Sequence, residues 1–302
     1  MQSRMTKKVI IPAAGLGTRL LPTTKEQPKE MMPIFAVDSS GNICVKPLLQ
    51  LLFEQLYGLG FRDFCIIVGR GKRAIEDHFT PDINFITQLN NKGKGGKTTS
   101  DLQAFYNMVK SSSIIWINQP EPKGFGHAVL MAKPFVGDEP FLVCAGDTYI
   151  ISHGGEHIRR LIEAHIRYGA DATLILQHVK RPKGYGIAEA NEVALGVFKV
   201  ERVVEKPERP PSNLAIMPIY AFNPIIMEAL EKTVPGYGGE IQLTDGIQRL
   251  IDMNLNVYAV KLKEDEVRLD IGTPETYWEA LRLSYKHFKG ETHARRRRKE
   301  RY

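Results

Sequence analysis

The chain has 302 residues, 43% of them hydrophobic and 25% charged, the balance of a globular protein and not of a fibrous or disordered one. No apolar run approaches the roughly 18 to 20 residues of a membrane-crossing helix, and the polar start MQSRMTKK leads into VIIPAA, too short for a signal-peptide core; a cytoplasmic protein with no membrane partner is expected. The formal charge is +7, but Arg295–Arg301 (RRRRKER) supplies +5 of it, so the body gives little reason to expect nucleic acid.

In chain order, short apolar runs alternate with amphipathic segments. Lys8–Ala13, Phe64–Val68, Ile114–Ile117 and Phe141–Ala145 read as buried strands, and Pro47–Leu59 and Gly126–Lys133 as helices between them. Near-continuous apolar strands in such alternation predict a mainly parallel sheet covered on both faces, with ligands beyond the carboxyl ends of the strands. Asn90–Ser100 (NNKGKGGKTTS) reads as a flexible loop. A helix over Gly155–Tyr168 and a strand over Ala172–Gln177 continue the pattern. Strand-like pieces follow at Gly186–Glu189, Gly196–Val204 and Asn213–Phe222, with a last strand at Asn256–Leu262. Helices are expected at Pro224–Lys232, Ile241–Met253 and Pro274–Tyr285. The second half is mixed α+β, and no compositional break divides the chain. The charged end is expected to be disordered.

The cysteines Cys44, Cys65 and Cys144 are scattered and odd in number; buried, reduced thiols are expected, and no close Cys/His pairing suggests zinc. The eight histidines, His127 included, read as ordinary surface or core residues.

The first chemical signal is Ala13-Ala14-Gly15-Leu16-Gly17-Thr18-Arg19, directly after the first strand. Glycines there let main-chain N–H groups approach phosphate oxygens, and Arg19 adds a cationic fork. A Walker A loop is excluded because no Gly-Lys-Ser/Thr follows, and a dinucleotide fingerprint because Leu20 takes the third glycine position. The plain alternative is a tight turn after a strand. Lys25 and Lys29 follow in a proline-rich stretch expected to be held extended.

The run from Pro12 to Pro33, P-A-A-G-L-G-T-R-L-L-P-x-T-K-x-x-P-K-E-M-x-P, resembles the opening of bacterial-type UTP–glucose-1-phosphate uridylyltransferases. The likeness continues through Gln119, Lys123–Ala128, Gly137–Pro140, Val204–Pro207, Pro211–Ile216 and Gly239–Asp245. It implies an α/β, Rossmann-like, three-layer nucleotidyltransferase fold with a mainly parallel mixed sheet and a sugar-side α+β lobe. Residues 5–285 would be the catalytic domain and residues 286–302 a basic tail. It also implies Mg²⁺ as cofactor, UTP and glucose 1-phosphate as substrates, and a homo-oligomer.

Carried over position by position, Ala13, Ala14, Gly15, Gly17 and Thr18 would hold the triphosphate, with Arg19 and Lys29 on its phosphates and Glu30 near the nucleoside. Gln119 would meet the uracil edge, since an amide offers a donor and an acceptor at once, and Gly124 would leave room for the ring. Asp147, at the end of a buried strand, is the first Mg²⁺ ligand, with a turn aspartate as the alternative. Asp270 is the second, with a helix cap as the alternative, for which Thr273 is better placed. Glu205 would hold sugar hydroxyls and Lys206 the sugar phosphate, with Tyr185 and Gly186 against the ring.

Two positions depart from this pattern: Gly146 before Asp147, where many uridylyltransferases have proline, and the run Leu269–Pro274. Both look more like thymidylyltransferases, so dTTP is the second candidate nucleotide. A non-catalytic nucleotide- or nucleic-acid-binding protein using the basic tail is the rival from another class.

Overall fold

The computed structural model describes residues 7–299, the side chains of residues 97, 98, 291 and 293–299 excepted. Its strands are β1 (Lys8–Pro12), β2 (Pro33–Val37), β3 (Ile43–Pro47), β4 (Asp63–Val68), β5 (Ser113–Asn118), β6 (Phe141–Cys144) and β7 (Thr148–Ile151). They continue with β8 (Ala172–His178), β9 (Gly186–Ala194), β10 (Val197–Glu205), β11 (Leu214–Phe222), β12 (Val257–Lys261) and β13 (Val267–Asp270). Nine of them form one sheet in the order β5-β4-β1-β6-β11-β8-β12-β10-β9. β5, β4, β1 and β6 are mutually parallel, β11 is antiparallel to β6 and β8, and β10 is antiparallel to β12 and β9. β2–β3 and β7–β13 form two small antiparallel ribbons.

Side chains alternate across a strand, and that alternation builds the layers. Val9, Ile11, Phe64, Ile66, Leu142 and Cys144 join one apolar cluster, while Ile10, Cys65, Ile67, Phe141 and Val143 join another. The first face is covered by the helices Leu48–Gly58, Lys97–Lys110 and Glu156–Arg167, through residues such as Leu52, Phe105 and Leu161. The second is covered by Phe125–Met131, Ile225–Glu231 and Leu243–Asp252, through Val129, Met227 and Ile247. The result is the three-layer α/β arrangement expected from the strand composition. A third cluster lies off the sheet, where Leu20, Met32 and Ile34 meet Leu269, Ile271, Ala280 and Phe288.

Three expectations are corrected. The stretch Asn90–Ser100 is mostly helical at its ends: one helix runs to Asn91 and the next starts at Lys97. Thr99, buried, explains the second start: its hydroxyl accepts from the N–H of Gly96 at 3.0 Å and caps the turn. The proline-rich segment after β1 is not extended; it folds into three 3₁₀ turns, Thr18–Leu20, Thr23–Lys25 and Lys29–Met31, because burying Leu20 and Met32 beneath the third cluster requires the chain to coil back. The last helix does not stop near Tyr285 before a disordered end; it spans Pro274–Lys299, as alanine, arginine and lysine favour once a docked segment has nucleated the helix. The rest of the basic segment, residues 300–302, lies outside the described residues. Cys65 and Cys144 are buried free thiols, as expected, with pKa values pushed up to about 12 by burial.

Candidate active site

The carboxyl ends of β1, β5, β6 and β13 open into one cleft of about 670 Å³. Its first wall begins where Ala13 continues β1, its N–H donating to Ile67 O at 2.8 Å. Gly17 has φ 67°, and its carbonyl accepts from Leu20 N–H at 2.9 Å and from the Thr24 hydroxyl at 2.8 Å. A Cβ at Gly17 would stand 3.1 Å from Thr24 Cβ, so both the dihedral and the close approach call for glycine. Arg19 is exposed on the cleft wall beside Gly272. Lys25 does not line the cleft; it is exposed and pairs with Glu26 at 3.5 Å.

The floor is a chain of charges. Lys29 Nζ is ion-paired and hydrogen-bonded to Asp147 Oδ2. Burial works against the Lys29 ammonium, but Asp147, then Glu30 and Asp270, carry its pKa above the ordinary lysine value. Asp147 is desolvated too, and the Lys29 charge nonetheless holds its pKa down. Asp270 has the opposite fate: burial, then repulsion from Asp147, raises its pKa against the pull of Arg268, Lys29 and Arg19. Two carboxylates, one kept reluctant to ionise by burial and then by the other's charge, make a site that a cation would relieve. The turn that presents Asp147 is pinned on both sides, Ala145 N–H to Pro218 O and Gly146 N–H to Pro12 O, each 3.0 Å. Thr273, not Asp270, caps the last helix, its hydroxyl accepting from Thr276 N–H at 3.2 Å.

Glu30 lies below this layer, 1% exposed, with Lys72 Nζ 2.9 Å from its Oε2. Burial raises its pKa, opposed by Lys72 and Lys29. Its carboxylate is thus paired with a protein cation beside Lys29, at a place where Glu30 also lines the cleft. Sequence reading missed Lys72, although Gly69-Arg70-Gly71-Lys72 has the glycine-and-cation composition expected at a strand end in this sheet.

At the far side of β5, the Gln119 N–H donates to Val68 O at 2.7 Å, and its side chain is buried. Amide Nε2 lies 3.2 Å from Gly124 O and 2.9 Å from His127 Nδ1. Gly124 is required by its own backbone: with φ 105°, a Cβ there would stand 2.6 Å from Ile241 O. Gly126 is equally tight, 2.8 Å from the same oxygen.

On the opposite wall, Thr244 Oγ1 donates to Glu205 Oε2 at 2.6 Å. A Cβ on Gly186 would lie 3.0 Å from both oxygens. Lys206 sits at φ 40°, a conformation that side chains resist, and its N–H donates to Tyr185 O at 3.0 Å. Its Nζ reaches Glu205 Oε1 at 3.2 Å and stands 4.9 Å over the Tyr237 ring. Arg268 donates to the Tyr185 hydroxyl at 2.8 Å and lies 4.0 Å from Asp270, bridging the carboxylate pair and this wall.

The family model described as nucleotidyl transferase matches residues 8–286. The chain belongs to the nucleotidyl transferase family. Among similar proteins, a UTP–glucose-1-phosphate uridylyltransferase of Pseudomonas aeruginosa is 36% identical over 94% of this chain and 98% of its own. One of Bacillus subtilis is 40% identical over 89% and 87% respectively. An apo UDP-glucose pyrophosphorylase structure superposes with TM-score 0.82 at 33% identity, over 94% of this chain and 99% of that one. A Bacillus anthracis structure named for glucose-1-phosphate thymidylyltransferase is 22% identical with TM-score 0.68, a likeness of fold alone.

In this nucleotidyl transferase the cleft is lined by Ala14, Gly15, Gly17, Thr18, Arg19, Lys29 and Glu30 from the first loop. Gln119, Gly124, Asp147, Tyr185, Gly186, Glu205, Lys206 and Asp270 complete the residues singled out from sequence. Ala13 is the exception, 1% exposed and behind the wall. Thr244 and Arg268 line it as well; Thr244 falls within the Gly239–Asp245 run already singled out, whereas Arg268 gains its place only through the distant partners Tyr185 and Asp270. No helix among the described residues is long and apolar enough to cross a membrane.

Proposed function

We propose that the chain transfers the uridylyl group of UTP to glucose 1-phosphate, giving UDP-glucose and pyrophosphate. The observation that carries this is the pair Asp147 and Asp270 beside Lys29, at the carboxyl ends of a sheet whose similar proteins are uridylyltransferases over nearly their whole length. A phosphomonoester with a second pKa near ~6 is already mostly dianionic at neutral pH, so a glucose 1-phosphate oxygen attacks the α-phosphorus without a general base. The protein's task is then to align two polyanions and neutralise their charge.

In this reading Arg19 and Lys29 bind the triphosphate, and main-chain N–H groups of residues 14–18 approach its oxygens. Gln119 meets the uracil edge. Glu205 accepts from sugar hydroxyls, and Lys206 holds the sugar phosphate from its constrained backbone. Asp147 and Asp270 would hold Mg²⁺. The fit rests on the donor set: two carboxylates suit an ion that takes one or two of them and completes its shell with phosphate and water. Among the described residues no group of three or more potential metal ligands occurs, consistent with an ion that the substrates help to hold. When bound, Mg²⁺ supplies charge neutralisation at the phosphates. Lys29, already on Asp147, delivers its ammonium to the same region.

UTP is favoured over dTTP because the uridylyltransferases match at 36% and 40% identity, whereas the thymidylyltransferase likeness is one of fold. A cytoplasmic homo-oligomer belongs to this reading, its self-association supported by the exposed Trp278 and Tyr285 on the last helix. Pyrophosphate release across a matrix of nucleoside triphosphates and sugar 1-phosphates tests it: release is expected to be greatest with UTP and glucose 1-phosphate. Greater turnover with dTTP at equal concentration would overturn the assignment.

A further inference from the structure

His127 has no place in the scheme above, and sequence alone gives it none. The structure sets its imidazole against the residue assigned to the base. An amide nitrogen can only donate, so at 2.9 Å His127 Nδ1 must accept from Gln119 Nε2, which places the imidazole proton on Nε2. The same amide nitrogen points to Gly124 O. Both amide hydrogens are thus engaged by protein, and no hydrogen bond to Gln119 Oε1 is formed among the described residues.

The arrangement is held from behind. The Gly126 N–H donates to Ile241 O at 2.9 Å, and the Ile241 N–H donates to Lys123 O at 2.8 Å. These two bonds clamp the start of the helix that carries His127. Partial burial, and then the charge of Lys123, lower the His127 pKa against the opposing pull of Glu121, so the ring stays neutral and keeps its acceptor.

We propose that His127 is a positioning residue for base selection: it fixes the Gln119 amide with Oε1 towards the nucleobase, so that the site accepts a base with an N–H at its pairing edge and rejects one with a bare ring nitrogen there. Uracil carries that N–H at N3; cytosine carries an acceptor. Without the Nδ1 acceptor only the longer bond to Gly124 O, 3.2 Å, still holds the amide nitrogen. With one of its two protein acceptors gone the amide can rotate by half a turn and present that nitrogen, which cytosine can use. The inference rests on the reading that Gln119 meets the base.

The test compares kcat/KM for UTP and CTP, with glucose 1-phosphate fixed, in wild type, His127→Leu and His127→Asn. Asparagine Oδ1 stands close to the place of Nδ1 and restores an acceptor; leucine has a similar shape and none. The UTP/CTP ratio is expected to fall by about tenfold or more in His127→Leu, the scale of one matched hydrogen bond in a buried site, and to return to within about threefold of wild type in His127→Asn. His127→Ala, which removes bulk as well, is expected to follow leucine. Equal losses on UTP and CTP in both apolar variants would show a packing role and overturn the inference, leaving the uridylyl assignment intact. A wild type that does not prefer UTP to CTP would remove both.

Discussion

Asp270 is tied to Asp147 through the main chain: β13 runs antiparallel to β7, so Asp270 pairs with Thr148, and the N–H of Ile271 donates to the carbonyl oxygen of Asp147 at 3.1 Å. Two carboxylates from remote parts of the sequence are thereby held at a spacing set by backbone hydrogen bonds and not by rotamer choice. Mutual repulsion is built in, and a cation relieves it. Lys29 partly does so on the Asp147 side.

Replacing Asp147 with asparagine removes charge with little change of shape. Turnover is expected to fall at least a hundredfold, about 2.7 kcal/mol of lost transition-state stabilisation, with melting temperature close to wild type. A single-turnover assay at saturating Mg²⁺ checks this. Retention of more than about a tenth of wild-type kcat, a loss under ~1.4 kcal/mol, would remove Asp147 from the metal site.

Lys206→Ala is expected to raise KM for glucose 1-phosphate by tenfold or more, about 1.4 kcal/mol where KM tracks affinity. UTP affinity, measured by calorimetric titration, should stay near wild type, because Lys206 sits with Glu205 and Tyr237 on the wall opposite the first loop. The reverse pattern would exchange the two assignments.

The buried pair of Glu30 and Lys72 makes a claim about stability. Lys72→Met leaves a carboxylate without its cation at 1% exposure, and breaking such a pair costs on the order of 3 kcal/mol. Glu30→Gln combined with Lys72→Met is expected to recover most of that loss. Urea midpoints at pH 7 decide it; a loss below about 1 kcal/mol in the single variant would mean the pair is not what supports the floor.

Acid should weaken the fold before it reaches the carboxylates' usual range. His157 is fully buried beside Ser152 Oγ at 2.6 Å, and burial lowers its pKa to about 4; burial does the same to His78, also to about 4. The unfolded chain takes up these protons near pH 6.5, while the folded chain refuses them until about 4. Stability is therefore full above pH 6.5 and falls as pH drops from 6.5 to about 4, by roughly 1.4 kcal/mol per pH unit for each histidine. His157→Gln should remove about one proton from that slope, read from urea midpoints between pH 7 and 4.5. An unchanged slope would refute the assignment.

What could be read beforehand follows from how local each cause is. β1, β4 and β6 are visible because a strand buried on both faces is apolar at every position. β7 and β13 are not, because Thr148 finds Asp270 only after the chain has crossed the whole sheet. Asp147 was readable as a carboxylate at a strand end, and the first loop as glycine and cation in the right place. The buried pairing of Lys72 with Glu30 and the contact of His127 with Gln119 are each a single approach of two side chains that no spacing reveals. Around Glu30 and Gly124 the structure adds what spacing could not show: a buried lysine paired with one and a backbone carbonyl packed against the other.

The third apolar cluster has a consequence for biosynthesis. Leu20, Met32 and Ile34 are translated early, yet they are covered by Leu269, Ile271, Ala280 and Phe288 near the other end. A nascent chain leaves the ribosome amino end first, with its phosphate loop formed in sequence but unlatched. Strands β1 and β4–β6 can assemble while synthesis continues; the latch and the second carboxylate arrive together on β13 and the helix after it. A polypeptide arrested before Leu269 has the residues of all nine strands of the main sheet and lacks both, so the cleft cannot be completed until residues 269–288 have been made.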